Sequence, residues 1–391
     1  MAIGSQASSE PPVSSVVAPP AHRRVRPADL DALDELLYEG RDSYARPLDE
    51  ARRVEWIAAA AAHHMEHNPL FARLAGKRGF APDALRATGD LASVPLLSSG
   101  LFKRRDVRGA CSGTVKECTS SGTQGTRSIV PRDRRTLERF IGTVLHGLHE
   151  FHGHTELRRA LVLGPPAEEA GDLWFAYVLT LMELVYDTRF FMHDEHLESE
   201  ELHAEIVGLQ ADEQPTLVGA PALLVDHLTW MCERGLRIAL DPETAYVVTA
   251  GGWKRRGDES VSRPELAELV SDRLGLPPSR IRDVFNMVEL NSVLFECETG
   301  AKHVPPWLAV IALRPADMSV ADPGEEGILT FLDPTATSYP GFICSDDFGS
   351  VRAGGCACGR HGEILELTRR MTTVEERGCG LKLERYVRDT P

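Results

Sequence analysis

Between residues 158 and 250 the hydrophobic rhythm switches repeatedly between strand and helix, which restricts the fold more than any other feature of the chain. Ala160-Leu-Val-Leu-Gly164 reads as a buried strand closed by Pro165-Pro166, and residues 173–185 read as a buried helix. Residues 189–192 then read as a strand, 199–209 as a helix, 216–219 as a strand, 221–234 as a helix and 245–249 as a strand. Strands separated by helices of this length predict a parallel sheet with helical crossovers. Helices are also expected at residues 29–37 and 48–67, the second stopping before Asn68-Pro69. From about Trp307 the pattern changes to short β segments at 308–313, 327–332 and 349–351, punctuated by Pro and Gly. The expected fold class is therefore α/β followed by a smaller, more irregular β region.

Composition narrows the function classes. The 391 residues suit two or three packed subdomains, and 42% apolar with 26% charged residues is an ordinary globular balance. A net charge of −15 should repel nucleic acid and anionic membrane. No stretch approaches the roughly 20 apolar residues of a membrane helix; the nearest, Trp174 to Met182, ends at Glu183. Residues 1–26 lack a continuous apolar segment and read as a flexible cytoplasmic extension. Eight cysteines are too few for a disulfide scaffold, so reduced thiols that pack, bind metal or react are expected.

Several segments carry chemistry. Thr119-Ser-Ser-Gly-Thr-Gln-Gly-Thr-Arg127 combines glycines with hydroxyls, which suits either a cradle for phosphate oxygens or a polar surface turn. It lacks the Gly-Lys-Ser/Thr ending of a Walker loop. Arg127 and Arg132 are candidate sources of positive charge there. Thr249-Ala-Gly-Gly-Trp-Lys254 follows an expected strand, and its small residues let backbone approach a flat ligand. Phe285-Asn-Met-Val-Glu289 offers an aromatic face and a carboxylate. Cys344-Ser-Asp-Asp-Phe-Gly349 is expected to present two carboxylates ahead of a turn, and Thr368-Arg-Arg370 comes near the end of the sequence.

In this order and spacing the set resembles the adenylate-forming superfamily of acyl-CoA synthetases and related ligases. It is most similar to the branch containing the acyl-protein synthetase of bacterial bioluminescence, and more distantly to phenylacetate-CoA ligases. Asp333-Pro-Thr-Ala-Thr-Ser-Tyr-Pro340 and Phe191-Met-His-Asp-Glu195 look like that branch in particular, and the likeness covers roughly residues 30–385.

The resemblance implies a large α/β adenylate-forming domain over residues 27–368, made of parallel-sheet subdomains and a smaller β region. It also implies a cytoplasmic enzyme that uses ATP and magnesium. The 120–128 loop (Ser120, Ser121, Gly122, Thr123, Gly125, Thr126, Arg127) would hold the ATP phosphates. Ser128 stands where the superfamily usually has Lys, which leaves Arg127 or another cation to compensate. Gly251 and Gly252 would line the adenine pocket, Phe285 would stack on the base and Glu289 would coordinate magnesium. Asp347, with Asp346 as fallback, would accept the ribose hydroxyls, and Arg369 or Arg370 would hold ribose or phosphate oxygens.

The implied reaction makes an acyl adenylate from a carboxylic acid and then a thioester. Only 20 residues follow Met371, so the superfamily's mobile C-terminal domain reads as truncated to a short arm over 369–391. Within it, Cys379, flanked by glycines and near Arg377, Lys382 and Arg385, matches the family's acyl-accepting cysteine. Lys382 is the sole lysine beyond the hinge and so the only candidate for the missing domain's lysine. The alternatives are an external acceptor (coenzyme A, a carrier protein, an amine, or a reductase partner) and a catalytically silent nucleotide- or acyl-binding partner. A homo-oligomer also fits the missing domain.

A second constellation is Cys356-Ala-Cys358-Gly-Arg-His361 with Cys297 and His303. Three thiolates and an imidazole suit a structural tetrahedral zinc, with His361 as an alternative ligand. The histidines at 146, 149, 152 and 154 are expected to be solvated or at a helix end rather than to bind metal. Residues 173–185 and 217–228 are expected to line the acyl pocket together.

Overall fold

A computed structural model describes residues 32–40, 42–121, 126–153, 158–210, 213–251 and 261–370. Its framework is one twelve-stranded sheet with two unlike halves. In the first half, strands Asp187–Phe190, Arg158–Leu163, Gln214–Gly219, Tyr246–Ala250 and Ile281–Phe285 lie side by side and parallel. The parallel core expected from the alternating rhythm is therefore present. The second half continues antiparallel through Leu294–Glu296, Lys302–His303, Glu363–Arg370, Phe342–Ala353, Gly327–Leu332 and Ala309–Leu313. A short strand, Leu97–Ser98, pairs parallel with Ile343 and Cys344.

Strand alternation decides what each face of the parallel half buries. Ala160, Val162, Val218 and Val248 face a core shared with helices Arg134–His152 and Trp174–Thr180. Their neighbours Leu161, Leu163, Leu217 and Val247 face the other way, onto helices Ser199–Gly208, Pro221–Glu233 and Arg263–Leu274. The two segments expected to share an acyl pocket thus pack on opposite faces. Trp174 and Leu179 lie on the first, and Leu217, Leu224 and Leu228 on the second. Both stretches are apolar because both faces of a parallel sheet are covered, so hydrophobicity alone could not tell them apart.

Local chemistry sets the helix ends. Asp49 caps Glu50–His67 by accepting from the Arg52 amide, and Asn68 caps the next helix, Pro69–Lys77, by accepting from Phe71. Ser262 and Glu265 form a capping box on Arg263–Leu274, which Gly275 closes in the left-handed region. In helix Arg134–His152, Phe140, Val144, Leu148 and Phe151 form the buried stripe. Gly147 lets this helix approach the sheet closely, since a Cβ there would lie 2.0 Å from the Phe295 ring.

Two expectations are corrected. The acidic pair Asp346-Asp347 does not precede a turn; it sits inside the twelve-residue strand Phe342–Ala353, whose register shifts between Phe348 and Gly349. Of the histidines expected to be solvated or at a helix end, His149 and His152 do lie in the last turn of the long helix, but His146 is buried within it. His146 and His152 are buried and only His149 is exposed, while His154 lies outside the described residues. Burial pulls His146 down to about 4 and His152 to about 3, so both are neutral packing groups.

Candidate active site and cysteine cluster

The serine-rich loop is the tip of a β-hairpin made by strands Val115–Thr119 and Ile129–Asp133. Its base is closed by two bonds: the Ser128 amide donates to the Ser120 hydroxyl (3.0 Å), and the Ser120 amide donates to the Ser128 carbonyl (3.1 Å). Gly122, Thr123 and Gly125 lie outside the described residues. Ser121 is half-buried, while Thr126 and Arg127 are exposed. Ser128, in contrast, is 1% exposed and turns inward, where its hydroxyl bonds the carboxyl of Glu289.

Glu289 lies in the turn after strand Ile281–Phe285 and is 6% exposed. Burial holds its carboxyl above the usual carboxylate range. The Ser128 hydroxyl acts against that shift, as does Arg370, while Asp346 reinforces it. Asp346 accepts from the Ser99 hydroxyl at 2.6 Å, and its other oxygen lies 3.8 Å from Arg370. Asp347 pairs in register with Arg370, with charged atoms 3.9 Å apart. Strand alternation sends Arg369 elsewhere, over the Phe348 ring at 3.8 Å and 3.6 Å from Glu326. Of the two candidate arginines, only Arg370 has a described contact with the acidic pair.

Arg132 is not a free cation for phosphates. Its side chain is fully buried, 3.7 Å above the Trp174 ring, and donates to Val288 and Leu290 carbonyls, the Asn291 side chain and the Tyr339 hydroxyl. Sequence proximity to the loop suggested charge supply, but strand alternation points this residue into the core.

The remaining nucleotide candidates are more scattered. Gly251 has φ +85° and a Cβ there would come within 2.9 Å of the Phe175 ring, so it sets the first helix face against the end of strand Tyr246–Ala250. Gly252 lies outside the described residues. Phe285 is half-buried and stacks on Phe331 with centroids 5.7 Å apart. Cys379 and Lys382 also lie outside the described residues.

The second constellation does converge. Ligand atoms of Cys297, His303, Cys356 and Cys358 all lie within 4.8 Å of one another. The Cys297 and Cys356 sulfurs are 3.7 Å apart, and the Cys358 sulfur is 3.5 Å from His303 Nε2. Ligands about 2.3 Å from a tetrahedral centre are separated by about 3.8 Å, so the donor set fits zinc. Burial pushes the Cys297 thiol up, but bonds from His303 and Thr299 and from nearby backbone outweigh it and bring the thiol down to about 5. Arg360, fixed by Glu298 and the Glu150 carbonyl, also bonds Cys358. His361 is exposed and stands outside the cluster.

Comparison with known proteins follows from this geometry. Residues 31–387 match the family model described as acyl-protein synthetase, LuxE. The chain belongs to the LuxE acyl-protein synthetase family. Over 357 residues it is 30% identical to a long-chain-fatty-acid–luciferin-component ligase of Vibrio harveyi, covering 90% of this chain and 92% of that protein. The Aliivibrio fischeri protein of the same name is 31% identical over 298 residues, covering 75% and 79%. Among solved structures, an open conformation of 2-hydroxyisobutyryl-CoA ligase with 2-HIB-AMP and CoA shares the fold at TM-score 0.62. That pair is 15% identical, covering 89% of this chain and 80% of the ligase. As a LuxE-family ligase, the chain activates a carboxylic acid with ATP as an acyl adenylate and transfers the acyl group to a thiol. No helix among the described residues is long and apolar enough to cross a membrane.

Proposed function

We propose that the substrate is a long-chain fatty acid, that adenylation takes place where the hairpin tip, the Glu289 turn and the Asp346–Arg370 strand pair meet, and that the acyl group is carried as a thioester on Cys379. The convergence of Ser128, Glu289, Asp346 and Arg370, from three separate chain regions, carries this reading. The names of both bacterial relatives support the substrate class.

A carboxylate is a poor electrophile because its charge repels nucleophiles and oxide is a poor leaving group. Attack of a carboxylate oxygen on the α-phosphorus of ATP, with loss of pyrophosphate, gives a mixed anhydride. A thiolate then attacks the acyl carbon and AMP leaves. The protein's share is positioning and charge neutralisation. The hairpin tip (Ser120, Ser121 and, beyond the described residues, Gly122, Thr123 and Gly125) supplies amides and hydroxyls for the phosphates, and Thr126 and Arg127 flank it. Arg370 supplies the cation that Ser128 does not. Gly251, with Gly252, gives the adenine room, with Phe285 at the edge of that space. Asp347 or Asp346 accepts the ribose hydroxyls.

Two metals fit donor sets on this chain. Glu289, with Asp346 nearby, offers the hard oxygens that suit magnesium, which when bound would offset developing phosphate charge. Cys297, His303, Cys356 and Cys358 would hold zinc as a closed structural site. Arg369 and Arg370 belong to strand Glu363–Arg370 rather than to an arm over 369–391; we assign Cys379 the role of acyl acceptor and Lys382 that of the cation serving the phosphates. The described cysteines form no disulfide, which fits a reducing cytoplasmic setting. Intact mass spectrometry after incubation with ATP, magnesium and a long-chain fatty acid tests the acceptor. The expected result is one acyl adduct, lost in Cys379→Ser. Adenylate formation without any adduct on the native chain would move the acceptor to coenzyme A or a carrier protein.

A further inference from the structure

The turn that carries Glu289 is tied down from two sides. Arg132 Nη2 donates to the Val288 carbonyl at 2.7 Å and to the Leu290 carbonyl at 3.4 Å, the two peptide oxygens flanking Glu289. Its Nε donates to the Asn291 side chain at 3.1 Å, and Nη2 also reaches the Tyr339 hydroxyl at 3.2 Å. From the other side, Asn286 Nδ2 donates to the Leu290 and Ser292 carbonyls, and the Trp174 indole N–H fixes Asn286 at 2.7 Å. The same Trp174 ring lies under the Arg132 guanidinium.

This is an unusual use of a buried cation. The hydrogen bonds of Arg132 run from Nε and Nη2 to uncharged oxygens, the Cys118 thiol also bonds the guanidinium, and Nη1 is buried without a partner, so no carboxylate bonded to it offsets its desolvation. The aromatic face of Trp174 and four acceptors in a planar fork do so instead. An apolar residue would fill the space without holding the turn. Nη2 alone bridges the two carbonyls, but a planar fork is needed to hold them while Nε bonds Asn291 and the guanidinium lies flat on Trp174. Arg132 also sits four residues along the same strand region from Ser128, whose hydroxyl meets the Glu289 carboxyl. One β-segment therefore grips both the backbone and the side chain of Glu289.

We propose that Arg132 is a positioning residue for adenylation, fastening the Glu289 carboxylate in register with the phosphate-binding hairpin. This rests on the reading that Glu289 serves magnesium, and nothing in the family comparison assigns Arg132 a role. Trp174 belongs to the helix against which Gly251 packs through Phe175. The clamp therefore also joins the metal carboxylate to the wall of the adenine side.

Calorimetric titration of ATP across a magnesium series, with no carboxylic acid present so that nothing turns over, tests the proposal. In the native protein magnesium should strengthen ATP binding. Arg132→Lys keeps the charge and loses the fork, and should raise the magnesium concentration for half of that enhancement about tenfold, leaving metal-free ATP affinity within about twofold. In a Glu289→Gln background the same substitution should change nothing further, because its route of action is gone. A folded Arg132→Lys protein with native magnesium dependence would overturn the proposal. If that variant does not fold, Tyr339→Phe removes one acceptor and should shift the dependence about threefold in the same direction; no shift would overturn it equally. A native protein whose ATP binding ignores magnesium would instead defeat the reading of Glu289 itself.

Discussion

The strand Glu363–Arg370 begins at one centre of chemistry and ends at the other. Near its start, Ile364 pairs with His303 of the cysteine cluster, and at its end Arg370 meets Asp346 and Asp347. Eight extended residues separate the ends by about 25 Å. At the first end, three cysteine thiols and an imidazole from residues 297–303 and 356–358 lie close together, with the His303 ring against Tyr44 and Phe151. The second end gathers hard oxygens and a half-exposed arginine from distant parts of the chain. A closed site of this kind fixes geometry; an open one leaves lone pairs and charge for a substrate.

Substitutions at each end should separate these roles. Glu289→Gln should lower carboxylate-dependent adenylate formation by about 10²–10³-fold with no fall in melting temperature, because a buried, raised-pKa carboxyl is replaced by a neutral isostere. A melting temperature that drops with the activity would make Glu289 a structural residue and erase the contrast. Cys358→Ser should abolish stoichiometric zinc in the purified protein, measured by plasma mass spectrometry. It should also reduce stability by roughly 3 kcal/mol or more. ATP affinity should change less than stability. Retention of zinc by this variant would remove Cys358 from the ligand set.

Acid should act through the buried histidines. His146 and His227 are held down to about 4, and His64 and His152 to about 3, by burial, so between pH 6.5 and those values the unfolded chain binds protons that the folded chain refuses. Stability should therefore fall as pH drops from about 6.5, on the order of 1 kcal/mol per pH unit for each histidine. Denaturant melts of the Cys358→Ser protein, where metal release cannot contribute, isolate this effect. A flat profile between pH 6.5 and 5 would contradict the burial. Gly147→Ala should cost about 1–3 kcal/mol through the clash with Phe295 and leave the ATP affinity of the folded fraction unchanged, as read by denaturation and calorimetry.

What could be read in the sequence depended on whether the signal was local. The parallel strands between Arg158 and Ala250 were legible because alternating rhythm is a property of short windows, while their order in the sheet was not. Cys356, Cys358, Cys297 and His303 were legible as half-sites because tight knuckles fix spacing, although their meeting required the Lys302–His303 strand to pair with Glu363–Arg370. The direction of a side chain near a loop was not legible. Arg132 read as a source of charge near the phosphate loop and Ser128 only as a departure from the family's lysine, and both turn inward. Nor could the acidic pair be placed. Aspartates next to Phe-Gly suggest a turn, yet pairing of residues 342–344 and 348–349 with strand Gly327–Leu332, and of Asp347 onward with Glu363–Arg370, carries the strand through them. The burial of His146 and His152 was missed because a histidine beside an apolar stripe reads as polar until the groups packed on it, Trp307 on His146 and Tyr246 and Phe295 on His152, are known.

Carboxylic-acid-dependent exchange of labelled pyrophosphate into ATP tests the central claim most directly, since it reports the reversible first step without needing any acceptor. The account predicts exchange that requires magnesium, is supported by long-chain fatty acids, persists in Cys379→Ser and is lost in Glu289→Gln. Exchange that is absent with every acid tried, or unaffected by loss of Glu289, would contradict it.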